Sequence, residues 1–174
     1  MASKNCDKNV RLIEKFSLLE KTLYRTGFYG FIIIGAYGIY LQNIVWGIIY
    51  TAFVISGLRF GLLYFACSHC PYPYKYSDCL FAPFWLIKNQ CKFRSNPMTA
   101  LDKVVSAVIM AGFVLIPQYW LLKNYTILIL FWIFCVLTIA GFPFYLCKRC
   151  RNFKCPLNLV NKELIKETEL QSLI

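Results

Sequence analysis

Residues 44–70 read IVWGIIYTAFVISGLRFGLLYFACSHC, an apolar run that ends in two closely spaced cysteines. Between Ile44 and Ala66 the only charged residue is Arg59. A hydrocarbon core about 30 Å thick requires a helix of about 20 predominantly apolar residues. The run therefore predicts a transmembrane helix, and the sequence Cys67-Ser68-His69-Cys70 lies where that helix leaves the membrane.

Three other runs have the same apolar character: Gly27 to Leu41, Val104 to Leu122, and Thr126 to Leu146. Only Gln42 and Asn43 separate the first of them from the run at Ile44, which predicts a tight helical hairpin. We therefore predict an all-α integral membrane protein with four transmembrane helices. They form two hairpins, at residues 27–66 and 104–146.

The start of the third helix is predicted at Asn96 and Pro97. Asparagine is a favourable N-cap because its side chain accepts a hydrogen bond from a free backbone amide, and proline suits the first helical position. A helix that begins here leads into the run at Val104.

The composition agrees with burial in lipid. Of the 174 residues, 59% are hydrophobic, 18% aromatic and only 16% charged, whereas soluble domains average about 45–50% apolar residues. The net charge is +11, but the charges fall between the apolar runs and form no continuous stripe. This pattern excludes nucleic acid as a partner, and the lipid bilayer is the partner that it predicts.

Lysine and arginine lie almost entirely on one side of the predicted membrane. They occur before the first span, in the loop at residues 67–103 and in the tail at residues 147–174, whereas Lys123 alone lies on the other side. Because positive charge favours the cytoplasmic side, both termini and the loop are predicted to be cytoplasmic. The compartment that fits best is the plasma (inner) membrane.

Both flanks have an amphipathic pattern. In residues 1–26, apolar and charged side chains alternate at helical spacing, which predicts a helix in the membrane interface. The apolar positions are Leu12, Phe16, Leu19 and Leu23, and the charged positions are Arg11, Glu14, Lys15 and Lys21. The tail repeats this pattern more weakly at Val160, Leu164 and Ile165.

The placement of the nine cysteines predicts metal or thiol chemistry. Only Cys135 lies inside a predicted span. The other eight fall on the predicted cytoplasmic side, where disulfides are rare. They are Cys6 in the N-terminal flank, Cys67, Cys70, Cys79 and Cys91 around the loop, and Cys147, Cys150 and Cys155 in the tail.

Two Cys-x2-Cys pairs, Cys67/Cys70 and Cys147/Cys150, supply the four soft ligands that zinc or an iron–sulfur cluster requires. They are predicted to share one site. Two separate sites are equally consistent with the sequence, with Cys79 and Cys155 as third ligands and Cys91 or Cys6 as the fourth. Neither pair is followed by the glycine common in zinc ribbons, so the iron–sulfur cluster is preferred over zinc.

Two further residues are candidates for the site. His69 is the only histidine and a possible metal ligand, although a loop histidine in solvent is the simpler interpretation. Arg59 lies within a span, where charge is costly and often functional, although its long side chain could reach the headgroups instead.

The predicted function is a structural or electron-transfer role for one or two cysteine-ligated metal centres, with other membrane or redox subunits or a second copy as possible partners. A soft-metal carrier or a membrane thiol oxidoreductase is the first alternative. A non-catalytic interaction subunit is the second. No hydrolase triad, phosphate-binding glycine loop or carboxylate pair occurs, which argues against an autonomous hydrolase or transferase and leaves a redox enzyme open.

Overall fold

The computed structural model describes residues 12–161, except for the side chains of Phe142 and Pro143. This range is helical, and its β-type pairing is limited to one isolated bridge between Ile13 and Cys150. The α-helices are α1 Leu18–Tyr40, α2 Ile44–Ser56, α3 Pro71–Lys75, α4 Phe84–Gln90, α5 Ala100–Leu115, α6 Gln118–Leu121 and α7 Tyr125–Gly141. The predictions for Cys6, Arg11, Leu164 and Ile165 lie outside the described residues.

Three helical stretches are long and apolar enough to cross a membrane: Ile44–His69, Ala100–Leu121 and Tyr125–Arg149. They match the second, third and fourth predicted spans and support the class of helical membrane proteins. The helix at the first predicted span, α1, is not among them, because three charged residues and several glycines and tyrosines dilute its apolar content.

The N-terminal flank differs from the predicted interfacial helix. Residues 12–17 are not helical, and α1 begins only at Leu18. The Ser17 hydroxyl accepts the Glu20 amide at 3.2 Å, and the Glu20 carboxylate accepts the Ser17 amide at 2.7 Å. This capping box starts the helix, so the periodicity at Leu12 and Phe16 does not reflect helix.

The predicted start of the third helix was wrong. Helix α5 begins at Ala100, where Thr99 and Asp102 form a second capping box. The reciprocal bonds of that box satisfy two backbone amides, which makes Thr99 a better start than Asn96. The backbone carbonyl of Asn96 instead accepts a hydrogen bond from His69 Nδ1 at 2.8 Å.

Both hairpins end in the same succession of backbone conformations. Helix α2 continues into a π-helix at Gly57–Ala66 and a 3₁₀ turn at Cys67–His69. Helix α7 likewise continues into a π-helix at Phe142–Leu146 and a 3₁₀ turn at Cys147–Arg149. The second cysteines then adopt nearly identical angles, with φ −87° and ψ 126° at Cys70 and φ −83° and ψ 130° at Cys150. The two Cys-x2-Cys pairs are therefore structurally equivalent.

The first helix of each hairpin packs on the second helix of the other. Helix α1 lies along α7, where Phe31 and Phe131 meet edge to face with ring centroids 5.8 Å apart. Helix α5 lies along the second helix of the first hairpin, where Phe53 and Phe113 meet at 5.7 Å. Because the hairpins pack in this way, both Cys-x2-Cys pairs emerge at one end of the bundle.

Candidate functional site

Seven free cysteines gather at this end of the bundle, which we call the cysteine-bearing end: Cys67, Cys70, Cys79, Cys91, Cys147, Cys150 and Cys155. All are buried or half-buried. Cys135 lies apart from them in α7 and is fully buried in the core. The structure thus brings together the six principal cysteines predicted from the sequence, together with Cys91.

The thiols form two groups that meet at Cys70. Cys67 lies near Cys79 and Cys91, close enough for their charges to interact. Cys147 lies near Cys150 and Cys155 in the same sense. Cys70 interacts with members of both groups, namely Cys79, Cys150 and Cys155. Cys70 therefore lies between the thiols of the loop and those of the tail.

Four of these sulfurs lie beside backbone amides that follow them in the chain and favour their thiolates. The amides belong to Tyr72 at Cys70, Ala82 and Phe81 at Cys79, Asn152 at Cys150 and Leu157 at Cys155. The distance from the Asn152 nitrogen to the Cys150 sulfur is 3.4 Å. Amide donors favour the charged thiolate over the neutral thiol, so these turns are suited to hold thiolates.

Burial nevertheless has the largest effect on the pKa of the thiols outside the spans. It raises the pKa of Cys70 far above the usual range, with neighbouring thiols adding to the effect. Burial also raises the pKa of Cys79, Cys91, Cys150 and Cys155. Without a bound cation these thiols are neutral at neutral pH, and neutral thiols are poor nucleophiles.

Tyr72 ties the N-terminal segment to the tail beside Cys150. Its side chain is almost fully buried. Its hydroxyl donates to the Ile13 carbonyl at 2.7 Å and accepts the Arg151 amide at 3.1 Å. The same hydroxyl lies against the Cys150 sulfur, where it opposes the effect of burial on the thiol pKa.

The turn around Cys155 is closed by Asn158. Its side-chain amide donates to the carbonyls of Cys150 at 2.9 Å and Asn152 at 3.0 Å. Its backbone amide donates to the Cys155 carbonyl at 3.1 Å. Asn158 therefore connects Cys150, through its side chain, with Cys155, through its backbone amide.

Helix α1 anchors the loop at Cys79. Arg25 donates to the Cys79 carbonyl at 3.0 Å and to the Leu80 carbonyl at 3.1 Å. Lys21 pairs with Asp78 at 2.5 Å, and Asp78 also accepts the Cys79 amide at 2.9 Å. Sequence reasoning missed these residues, as it missed Tyr72 and Asn158, because their partners are distant in the chain or are backbone atoms.

His69 is engaged away from the thiols. Besides the bond to Asn96, its Nε2 lies 3.4 Å from Asp102 and 3.5 Å from Arg94. Both ring nitrogens therefore have protein partners. Arg59 is exposed on the outside of its helix, with the guanidinium 5.8 Å from the centre of the Phe60 ring.

The thiols of the described residues do not converge on one point. Within residues 12–161, no group of three or more His, Cys, Asp or Glu side chains is arranged to hold a metal ion. No protein-family model, curated protein or solved structure matches the chain. Fold and composition support an all-helical protein of the membrane class.

Proposed function

We propose that this is a four-span membrane protein that binds a soft metal centre, an iron–sulfur cluster or zinc, through thiolates at the cysteine-bearing end. The role of the centre would be structural or electron transfer. The observation that carries the proposal is that the two equivalent Cys-x2-Cys pairs emerge at one end, where Cys70 interacts with Cys150.

The packing of α1 supports a fourth span. A Cβ atom added to Gly27 would touch Thr138, and one added to Gly38 would lie 3.5 Å from Ile127. Helix α1 therefore runs antiparallel to α7 over the same depth. At 1.5 Å per residue its 23 residues extend about 35 Å, which suffices for a bilayer core of about 30 Å.

The charges of the described residues support a cytoplasmic cysteine-bearing end. Four acidic residues occur in residues 12–161, and each lies at this end with a protein partner: Glu14, Glu20, Asp78 and Asp102. The lysines and arginines outnumber them there, whereas Lys123 lies at the opposite end beside Gln42 and Asn124. Net positive charge at one end favours the cytoplasmic side.

The chemistry of the thiols favours metal binding over thiol redox catalysis. A reactive cysteine needs a lowered pKa, whereas burial raises the pKa of all five thiols outside the spans. A bound cation would reverse this effect by stabilising the thiolates. Structural zinc sites release about 10–16 kcal/mol on binding, enough to close loops around the ion.

Anaerobic purification of the full chain in detergent, followed by metal analysis and a visible spectrum, tests the proposal. We expect bound zinc, or iron with thiolate-to-iron absorption, and a lower unfolding temperature after chelation. Cys135→Ala is the matched control, since Cys135 lies in the core. The proposal would be refuted if the wild-type protein is purified without metal and its unfolding temperature changes neither with a chelator nor with added metal.

A further inference from the structure

We infer that helix α4, Phe84–Gln90, lies in the headgroup layer of the membrane at the cysteine-bearing end and binds anionic lipid there. The lipid contact is made by the exposed side chains of Phe84, Trp85 and Lys88, which we call the α4 face. The inference is independent of the proposed metal centre and requires only that the apolar helices cross a bilayer.

The packing of α4 on the second span places it at the membrane boundary. Ile87, in the middle of α4, is fully buried in a cluster against which Leu63 and Cys67 of the second span pack. The apolar run of that span ends at Ala66, so Leu63 lies about 5 Å inside its end at 1.5 Å per residue. Interfacial helices bury their apolar side chains about 5–10 Å into the boundary between headgroups and acyl chains. The depth of Leu63 therefore matches that of an interfacial helix.

Hydrogen bonds hold the chain on both sides of α4. Before the helix, the Tyr29 hydroxyl of α1 donates to the Phe81 carbonyl at 3.3 Å. After it, the Arg94 amide donates to the Ser68 carbonyl at 2.9 Å, and the Arg94 guanidinium lies 5.3 Å from the centre of the Tyr64 ring. Helix α4 therefore cannot leave the bundle without breaking contacts with α1 and with the second span.

The α4 face combines two aromatic rings with a lysine. Phe84 is 38% exposed and Trp85 is 57% exposed, and the Lys88 ammonium lies 5.4 Å from the centre of the Phe84 ring. At about 100° per residue these side chains share one side of the helix, whereas Gln90 lies on nearly the opposite side. Aromatic rings are enriched at the boundary of the acyl region, and a lysine beside them can keep its ammonium among the headgroups. This combination fits a lipid surface.

The charges around α4 favour anionic lipid. From Cys79 to Leu101 the sequence has no acidic residue, and its charged residues are Lys88, Lys92 and Arg94. Lys88 and Lys92 are exposed, and neither belongs to an ion pair within residues 12–161. Each lysine near a negatively charged leaflet should strengthen the contact by about fivefold.

A second copy of the chain is a less suitable partner for these lysines. The four acidic residues in the described part of the chain already have partners within their own chain. The described part of a second copy therefore offers no unpaired carboxylate, whereas an anionic bilayer offers phosphates at the depth of α4.

Tryptophan quenching in nanodiscs tests the inference. Replacing Trp46, Trp120 and Trp132 by phenylalanine in the full chain leaves Trp85 as the single tryptophan. Bromines near the headgroups of a brominated phospholipid should quench Trp85 more strongly than bromines near the chain ends, and iodide in the water should quench it weakly. The matched control carries Trp85→Phe and Gln90→Trp in the same background, and iodide should quench its tryptophan instead.

A second measurement applies if the triple replacement disturbs folding, which circular dichroism and gel filtration detect. Trp85→Phe alone changes one exposed side chain. The difference in quenching between the wild type and this single variant isolates the contribution of Trp85, so the same comparison of bromolipid with iodide can be made.

Brominated anionic lipid tests the choice of headgroup. At equal mole fraction it should quench Trp85 more than brominated zwitterionic lipid does. The excess should shrink in the double variant Lys88→Gln/Lys92→Gln and at high salt, because both weaken the attraction to negative headgroups. Equal quenching by the two lipids would overturn the preference for anionic lipid.

Two results would overturn the position of α4. If iodide quenches Trp85 as strongly as it quenches the Gln90→Trp control, the α4 face lies in water. If neither iodide nor brominated lipid quenches Trp85, protein covers the face, either a second copy or another subunit. Metal content is measured separately, so failure of this inference and failure of the proposed function are distinguishable.

Discussion

Replacing Tyr72 by phenylalanine removes one oxygen atom from the contact between the N-terminal segment and the tail. The ring is 2% exposed and packs on Phe16 at 4.8 Å, and these contacts survive the change. Two hydrogen bonds are lost, one to the Ile13 carbonyl and one from the Arg151 amide, together with the contact between the hydroxyl and the Cys150 sulfur. The perturbation is therefore confined to hydrogen bonding.

The magnitude follows from the burial of the two groups left without a partner. An unsatisfied buried polar group costs about 1–3 kcal/mol. Ile13 is 8% exposed, so we assign about 2 kcal/mol to its carbonyl, and about 1 kcal/mol to the half-buried Arg151 amide, which water can reach. A total of about 3 kcal/mol corresponds to roughly a hundredfold larger opening constant for the N-terminal segment. If the loss is global, the unfolding temperature falls by about 6–12 °C.

Hydrogen–deuterium exchange of the peptide that covers residues 12–20 measures the opening, and thermal unfolding in detergent measures the global effect. Tyr76→Phe is the matched control. Its hydroxyl accepts one bond of 3.3 Å from the half-exposed Arg151 side chain, so its loss should cost under about 1 kcal/mol. Equal exchange rates in Tyr72→Phe and Tyr76→Phe would refute the assignment of Tyr72 as the anchor.

Three other outcomes are expected. In the metal-free protein, the raised pKa of the five thiols outside the spans keeps them protonated while unfolded thiols ionise near pH 8.5. The free energy of unfolding should therefore fall above about pH 8, by at most about 1.4 kcal/mol per pH unit per thiol. The metal-loaded protein should lose stability as the pH falls, since protons compete for thiolates; the same pH trend in both forms contradicts this account. Gly30→Ala should destabilise the contact between α1 and α7 by about 1–3 kcal/mol, because its Cβ would lie 2.6 Å from the Phe134 ring. Gly141→Ala, whose Cβ meets nothing within 4 Å, should not lower the unfolding temperature, and equal losses in the two variants would argue against this packing. Arg59→Lys should preserve metal content and unfolding temperature, because an exposed headgroup anchor tolerates lysine, whereas Arg25→Lys should lower the unfolding temperature by losing its two-carbonyl contact; a large loss at Arg59 would indicate an intramembrane partner.

The start of α1 illustrates why local patterns failed at the N-terminal flank. The spacing of Leu12 and Phe16 is helical, but the Ile13 amide bonds to the Arg149 carbonyl at 2.9 Å and the Phe16 amide bonds to Asp78 at 2.7 Å. These partners lie in the tail and in the loop. Periodicity contains no information about such contacts, so it could not predict that residues 12–17 are not helical.

The amino-acid sequence by itself determined the three apolar helices and the fact that both Cys-x2-Cys pairs follow the second helix of a hairpin. Both are local properties, since a helix satisfies its backbone hydrogen bonds within its own segment. Only the tertiary structure decided which thiols lie near one another. Cys70 lies near Cys150 because the two hairpins pack on each other, and Tyr72 and Arg25 hold the neighbouring tail and loop. The contacts of Tyr72 and Arg25 join segments far apart in the chain, and their geometry exists only after the hairpins have packed.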